Sequence, residues 1–156
     1  MWLLMLVIAL GACTSGNGGG GPEQAFGLDV AKLGEALYQQ VAYRDQLEEL
    51  DPLVVYTLLG VDGDMVFAQK NYFSSGATAE EIIIFQAKDD EALLALRRAL
   101  EARLEDQAEI YASYAPEEVA YLKAAVLEEK GVYLVLCVSA DAESAAKLVS
   151  EAFDEK

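Results

Sequence analysis

The sequence predicts an α+β fold of two layers, with a mainly antiparallel sheet of about four strands and helices packed mostly on one face. Three observations lead to this prediction. Two short apolar runs, at residues 82–85 and 132–138, have the length of buried strands. Before each apolar run lies another strand-like segment, and turn-forming residues separate the two. This pattern is typical of paired antiparallel strands. Helical patterns lie around these pairs and give the order α-α-β-β-α-β-β-α.

The first two helices are predicted from capping residues and apolar spacing. Asp29 can cap a helix whose apolar face repeats at helical spacing through Val30, Leu33, Leu37 and Val41. Asp51 and Pro52 open a second, short helix, and Gly60 stands just past its end. The residues of this helix that we expect to face the core are Leu53, Tyr56 and Leu59.

Residues 65–73 and 81–87 are predicted to be the first strand pair, joined by a loop over residues 74–78. Because the second strand is apolar on both sides, we expect it to be central and covered. Asp89 and Asp90 place negative charge at the start of a long helix, which suits the helix dipole. The buried stripe of this helix is predicted at Leu93, Leu96, Leu100, Leu104 and Tyr111.

The second strand pair is predicted at residues 124–128 and 132–138, with a hairpin turn at residues 129–131. Pro116 marks the end of the long helix, and a short helix through Leu122 can follow it. A last helix begins after Asp141 and is expected to pack on the sheet through Ala145, Leu148, Ala152 and Phe153. Cys137 lies inside an apolar run, which favours a small buried side chain over a reactive thiol.

Composition limits the classes of function. The net charge of −16 argues against a nucleic-acid partner, because phosphates would be repelled. The same charge argues against a folded surface lying flat on anionic lipid. The chain contains no histidine, which removes Ser-His and Cys-His nucleophile pairs and His-based zinc sites. We therefore expect a protein that is not an enzyme and that uses no cofactor and no metal.

The chain begins with an apolar run that ends in Leu10-Gly11-Ala12-Cys13. The run is shorter than the ~20 residues of a spanning helix, and its layout is that of a secretory signal. The segment resembles the lipobox of bacterial lipoproteins. This resemblance implies that residues 1–12 are a signal peptide, recognised through Leu10, Gly11 and Ala12, and that Cys13 is lipidated on its thiol.

Two other interpretations of the N-terminal run stay open. They are an ordinary secretory signal with a chance cysteine, and a buried N-terminal strand. The run departs from the usual signal pattern because no Lys or Arg precedes Lys32. This departure indicates either a longer natural signal or inefficient export.

A Gly-rich segment follows Cys13 and has the composition of a flexible tether. Residues 14–22 span ~30 Å at most when fully extended, at ~3.3–3.6 Å per residue. We expect three parts: a signal peptide over residues 1–12, a lipidated cysteine with its tether over residues 13–27, and one globular α+β domain over residues 28–156. The expected location is the extracytoplasmic face of the cell membrane, held by the lipid.

The most polar cluster of the domain is predicted around the first hairpin loop, and it is our candidate binding loop: Ser74, Ser75, Gly76, Thr78, Glu80 and Glu81. Hydroxyls and carboxylates on such a loop could bind a small cation, a sugar or a peptide. Alternatively, the hydroxyls simply close the hairpin and the two glutamates solvate its edge. A Ser-Lys pair with Lys70 or Lys88 is the catalytic alternative. Glu80 and Glu81 cannot form one paired-carboxylate site within a strand, because neighbours there point to opposite faces.

From Leu28 onward the chain resembles a family of small bacterial lipoproteins known only as domain of unknown function 4358. The blocks that carry the resemblance are Asp29-Val30-Ala31-Lys32-Leu33, Ser75-Gly76-Ala77-Thr78-Ala79-Glu80-Glu81-Ile82, Leu104-Glu105-Asp106-Gln107, Tyr114-Ala115-Pro116-Glu117-Glu118 and Gly131-Val132-Tyr133-Leu134-Val135-Leu136-Cys137-Val138-Ser139. The resemblance implies a lipoprotein of low-GC Gram-positive type and implies no activity.

The function that we expect is that of a membrane-anchored extracytoplasmic lipoprotein, a non-catalytic binding or envelope-associated module. Its only partner indicated by the sequence is the membrane, reached through the N-terminal lipid. The sequence does not identify a protein or small-molecule partner. The alternative is a small cell-envelope hydrolase that uses a Ser/Lys or carboxylate site.

Overall fold

The computed structural model describes residues 27–155, and the signal peptide, Cys13 and most of the tether predicted above lie outside the described residues. The described chain forms an α+β fold. Its elements in order are α1 (Val30–Gln40), α2 (Pro52–Leu59), a 3-10 helix (Gly63–Met65), β1 (Val66–Phe73), β2 (Glu81–Ala87), α3 (Asp90–Tyr114), α4 (Glu118–Lys123), β3 (Val126–Lys130), β4 (Tyr133–Val138) and α5 (Ala142–Asp154). The predicted fold class and element order are confirmed, with α4 as the short helix that follows Pro116.

The four strands form one open antiparallel sheet in the order β1-β2-β4-β3. The two apolar strands are central, with Ile83 opposite Leu136 and Phe85 opposite Leu134. β1 and β3 are the edges, and the outer half of β3 carries exposed charged side chains. β3 begins two residues later than predicted and extends to Lys130, because the turn requires only the positive φ of +58° at Gly131.

Helices cover both faces of the sheet, which differs from the predicted two-layer arrangement with helices mostly on one face. On one face, α1 and α5 pack on side chains that include Ile84 and Val135. On the other face, α3 packs on side chains that include Phe85 and Leu134. Alternate residues of a strand point to opposite faces, so strands that are apolar throughout need cover on both sides.

Aspartates cap four helices at starts that the sequence predicts, and Asp29 is the one predicted there as a cap. The side chains of Asp29, Asp51, Asp89 and Asp141 each accept a hydrogen bond from a backbone N–H in the first turn of a helix. The predicted inner face of α2 is wrong at Leu53, which is exposed, while Val55 is the residue of this helix that is buried. Cys137 is buried as predicted, and burial raises the pKa of its thiol to about 11.

The two ends of the sheet differ in what surrounds them. One end, which we call the loop end, carries the β1–β2 loop (residues 74–80) and the residues just after α1. The opposite end carries the start of α1 and the end of α5, where Lys32 pairs with Glu155 at 3.5 Å. The β3–β4 turn lies there too, because Lys130 donates to the carbonyl of Phe153 near the end of α5. Gly27, where the described chain begins, is therefore at the end opposite the loop.

Candidate functional site

The candidate binding loop is closed by its own hydrogen bonds. The hydroxyl of Ser74 donates to the carbonyl of Thr78 at 2.6 Å. The backbone N–H of Gly76 donates to the same hydroxyl at 3.3 Å. Gly76 has a φ of +97°, a conformation that side-chain-bearing residues rarely adopt. Ser74 and Gly76 therefore give the loop its shape.

Ser75 binds the carboxylate of Asp45, which lies in the segment after α1. The backbone N–H and the hydroxyl of Ser75 both donate to one carboxylate oxygen, at 3.0 and 2.7 Å. These hydrogen bonds hold the pKa of the Asp45 carboxyl below its ordinary value. The exposed tip of the loop is thereby tied to the segment that follows α1.

Glu80 is almost fully buried and is surrounded by donors. Its carboxylate accepts the backbone N–H groups of Arg44 and Asp45 at 2.9–3.0 Å. The hydroxyl of Thr78 donates to it at 3.1 Å. Such a set of donors compensates for the loss of water around a buried carboxylate.

Glu118, the first residue of α4, forms a two-pronged ion pair with Arg44. The two terminal nitrogens of the guanidinium lie 2.8 and 2.7 Å from the two carboxylate oxygens. The backbone N–H of Ala79 also donates to Glu118, at 2.9 Å. The hydrogen bonds from Arg44 lower the pKa of the Glu118 carboxyl, against the opposing effect of burial. The Arg44 guanidinium also lies 4.0 Å from the centre of the Tyr121 ring, a cation–π contact.

Glu81 forms an ion pair with a different arginine, Arg103. The Arg103 guanidinium on α3 donates to both carboxylate oxygens of Glu81, with nitrogen–oxygen distances from 2.5 to 3.0 Å. Burial raises the pKa of the Glu81 carboxyl, and the hydrogen bonds from Arg103 oppose this effect. Glu80, in the loop, and Glu81, the first residue of β2, therefore face different elements. We call these five residues, Arg44, Glu80, Glu81, Arg103 and Glu118, the carboxylate–arginine cluster.

A recess of about 260 Å3 lies between the loop and the second half of α3. Thr78 and Arg103 line it, together with the side chains of Gln107, Tyr111 and Tyr114. The hydroxyl of Tyr111 donates to the carbonyl of Thr78 at 2.6 Å, which fixes the loop to the helix. The recess therefore lies beside an arginine that already has a carboxylate partner.

The Ser-Lys pair of the catalytic alternative is not formed among the described hydrogen bonds and ion pairs. Lys70 pairs with Glu49 at 2.6 Å, and Lys88 lies 4.0 Å from Asp64. Within residues 27–155, no group of three or more His, Cys, Asp or Glu side chains is arranged to hold a metal ion. The chemistry of the cluster is ion pairing and hydrogen bonding, which fix the position of the loop.

Sequence reasoning selected the loop residues but missed their partners, which are Arg44, Asp45, Arg103, Tyr111 and Glu118. Arg44 lies 36 residues from Glu80 and 74 residues from Glu118, so no local spacing could connect them. The one available signal is the scarcity of positive charge, 11 Lys and Arg against 27 Asp and Glu. With so few cations, an arginine beside the end of a predicted helix is a candidate partner for a buried carboxylate.

The domain has an α+β fold in which arginines pair with buried carboxylates at one end of the sheet. Residues 40–139 match the family described as Domain of unknown function (DUF4358). The match covers more than half of the chain, and the chain belongs to this family. The matched range contains every residue of the carboxylate–arginine cluster and all four strands.

Two other comparisons add no relatives. Searches of curated proteins and of solved structures found no match. Among the helices of residues 27–155, none combines the length and the apolar character that crossing a membrane requires.

Proposed function

We propose that the protein is a membrane-anchored extracytoplasmic lipoprotein whose folded domain is a non-catalytic binding or envelope-associated module. The observation that carries the proposal is the segment Leu10-Gly11-Ala12-Cys13, followed at once by a Gly-rich tether. The thiol of Cys13 is the atom that would carry the lipid. The resemblance of this segment to a lipobox is consistent with the family of lipoproteins that the chain resembles from Leu28 onward.

The hydrogen bonds of the loop support a non-catalytic role. A serine nucleophile needs a neighbouring base that can take its proton. The acceptor of the Ser75 hydroxyl is Asp45, and the lowered pKa of that carboxyl makes it a weak base. The Thr78 hydroxyl donates to Glu80, whose carboxylate is already bound by backbone N–H groups. These groups serve the structure of the loop.

The position of the loop supports a binding role. The tether joins the domain near Gly27, at the end opposite the loop. A chain that is anchored through Cys13 would therefore present the loop end away from the lipid surface. The net charge of −16 favours a domain that stands off the membrane, because an acidic domain is repelled by anionic headgroups.

Substitution of Cys13 tests the anchor. With labelled fatty acid and detergent phase partition, we expect the wild-type protein to carry label and to enter the detergent phase. Cys13→Ser should be unlabelled and aqueous, because a serine oxygen does not replace the acylated thiol. Cys137→Ala is the matched control and should keep both label and partition, since Cys137 is buried in β4. Wild-type protein that is unlabelled and wholly aqueous would refute the anchor.

A further inference from the structure

The second half of α3 lines the recess of about 260 Å3 beside the β1–β2 loop, which we call the loop recess. Four of its residues do so: Arg103, Gln107, Tyr111 and Tyr114. Residues three or four apart are neighbours on a helix, so these four form one continuous row, which we call the α3 row. The rings of Tyr111 and Tyr114 lie 5.1 Å apart and are tilted by 39°. The α3 row thus combines two planar polar groups with a pair of aromatic rings.

The two planar polar groups keep hydrogen-bonding capacity. The Arg103 guanidinium uses Nε and Nη2 for Glu81, and its Nη1 has no hydrogen-bond partner among residues 27–155. The carboxamide of Gln107 also has no hydrogen-bond partner within the described part of the chain. A carboxamide offers two N–H donors and a carbonyl acceptor. A ligand in the loop recess could therefore both donate and accept hydrogen bonds.

The charged side chains that line the loop recess are already paired. The carboxylates are those of Glu80 and Glu81, which are 1% and 2% exposed. Arg103 binds Glu81, and the backbone N–H groups of Arg44 and Asp45 bind Glu80. Among these lining residues, an anion would find no unpaired cation and a cation would find no unpaired carboxylate. The loop recess therefore favours a neutral ligand over a charged one.

Tyr114 adds an exposed aromatic ring to the loop recess, and the residue is 60% exposed. The face of an aromatic ring carries partial negative charge, which attracts polarised C–H groups. A sugar ring has C–H groups on its faces and hydroxyls around its rim. It can therefore stack on a tyrosine while its hydroxyls form hydrogen bonds with planar polar groups such as a carboxamide or a guanidinium.

We propose that the loop recess and the α3 row bind a short neutral glycan. One sugar ring would stack on Tyr114, and hydroxyls of the chain would bond to Gln107 and to Nη1 of Arg103. From Arg103 to Tyr114 the helix rises about 16 Å, at about 1.5 Å per residue, which exceeds one sugar ring and suits two or three. The inference rests on the proposed role as a binding module, whose ligand class it names, and it does not depend on acylation of Cys13.

Defined trisaccharides test the loop recess. The neutral probes are cellotriose and the trimer of N-acetylglucosamine, and the charged comparisons are the trimers of glucosamine and of galacturonic acid. Binding is followed by amide chemical shifts in NMR titrations of the full-length chain carrying Cys13→Ser, which separates this test from that of the anchor. Salt at about 0.15 M screens the net charge of the protein. We expect at least one neutral trimer to shift amides of residues 103–114 and to bind at least about fivefold more tightly than either charged trimer.

Two variants of the α3 row and two matched controls assign the binding to these side chains. Tyr114→Ala removes the stacking ring and Gln107→Ala removes the carboxamide, so each should weaken binding of the neutral trimer by about fivefold or more. Phe67→Ala on β1 and Gln39→Ala on α1 change exposed residues of similar type outside the recess, and they should alter binding less than about twofold. Thermal unfolding checks that every variant is folded.

A third control separates the loop recess from its neighbour. Arg103 and Gln107 also line a second recess, between α2 and α3, and Ile110 lines that recess but not the loop recess. The α2 side of the second recess consists of Leu58 and Leu59, which offer no polar side-chain group to a sugar. Ile110→Ala should therefore leave the affinity for the neutral trimer within about twofold of the wild-type value.

Co-sedimentation with insoluble cellulose and chitin distinguishes two sources of the same chemistry. A chain that sediments with a polymer binds internal units of a polysaccharide. A chain that binds the trimers alone captures free oligosaccharides, and both results agree with the proposal.

Four results would overturn the proposal. The first is no shift with either neutral trimer at about 10 mM, where a site with a Kd of about 1 mM would be largely filled. The second is equal binding of a charged trimer. The third is a loss of affinity in Ile110→Ala as large as that in Tyr114→Ala. The fourth is tighter binding of a neutral capped peptide, acetyl-Gly-Asn-Gly-amide, at the same residues, which would assign the recess to peptides.

Discussion

Arg44 connects more parts of the loop end than any other residue described above. Its guanidinium binds Glu118 on α4, and its backbone N–H donates to Glu80, the last residue of the β1–β2 loop. A buried carboxylate without donors destabilises a protein strongly, so each of these glutamates depends on the residues that pair with it. One third of the Arg44 side chain is exposed, which allows water to stabilise part of its charge.

Glu118→Gln should lower the free energy of unfolding by about 2–3 kcal/mol, because it leaves Arg44 without its two-pronged partner. Urea denaturation at pH 7 measures the change. Glu117→Gln is the matched control, since the neighbouring Glu117 is exposed, and it should change stability by less than about 0.5 kcal/mol. A loss below that limit for Glu118→Gln would show that the ion pair adds no net stability.

The difference in unfolding free energy between wild type and Glu118→Gln should depend on pH. The pKa of the Glu118 carboxyl is lowered in the folded state, so its contribution is present above the unfolded value of about 4.3. That contribution is lost as the pH falls through the folded pKa. The stability difference between wild type and Glu118→Gln should be constant from about pH 7 to 5 and should shrink below about pH 4. A difference that grows on acidification would contradict the assigned direction.

At the scale of elements, the β1–β2 loop places the hydroxyls of Ser75 and Thr78 in different environments, although nothing in the sequence distinguishes them. Ser75 lies on the exposed tip, whereas the half-buried Thr78 donates to the buried Glu80. Ser75→Ala should change stability by less than about 0.5 kcal/mol. Thr78→Val keeps the side-chain shape but removes the donor, and it should cost about 1.5 kcal/mol in urea denaturation. Equal effects of the two substitutions would contradict this assignment.

Local features explain which elements could be predicted from the sequence. An aspartate cap acts within one helical turn, so Asp29, Asp51 and Asp89 mark helix starts without knowledge of the fold. Apolar runs likewise identified β2 and β4. The orientation of α2 could not be predicted, because a helix that is apolar all round has no periodicity to indicate its buried side. The partners of Glu80 and Glu118 needed tertiary structure, since Arg44 is distant in sequence.

At the scale of the whole molecule, the proposed lipid anchor would hold the two ends of the sheet at different heights above a membrane. The eleven residues of α1 separate these ends by about 16 Å, at about 1.5 Å per residue. Fluorophores at Ser75→Cys and at Glu155→Cys, each in a Cys137→Ala background, can report energy transfer to a dye at the lipid surface. We expect stronger transfer from position 155. Equal or reversed transfer would contradict an outward-facing loop end.

The charged edge strand β3 has a consequence for proteins held side by side on one surface. The lipid anchor that we propose would confine chains to two dimensions, where collisions between neighbours are frequent. An open sheet edge can recruit a strand from a neighbour and begin aggregation. Glu128, Glu129 and Lys130 are exposed along the outer half of β3, and Arg97 on α3 binds Glu129 at 2.9 Å. A neighbouring strand would have to displace water from these charges, so this edge should not recruit a strand from a crowded copy.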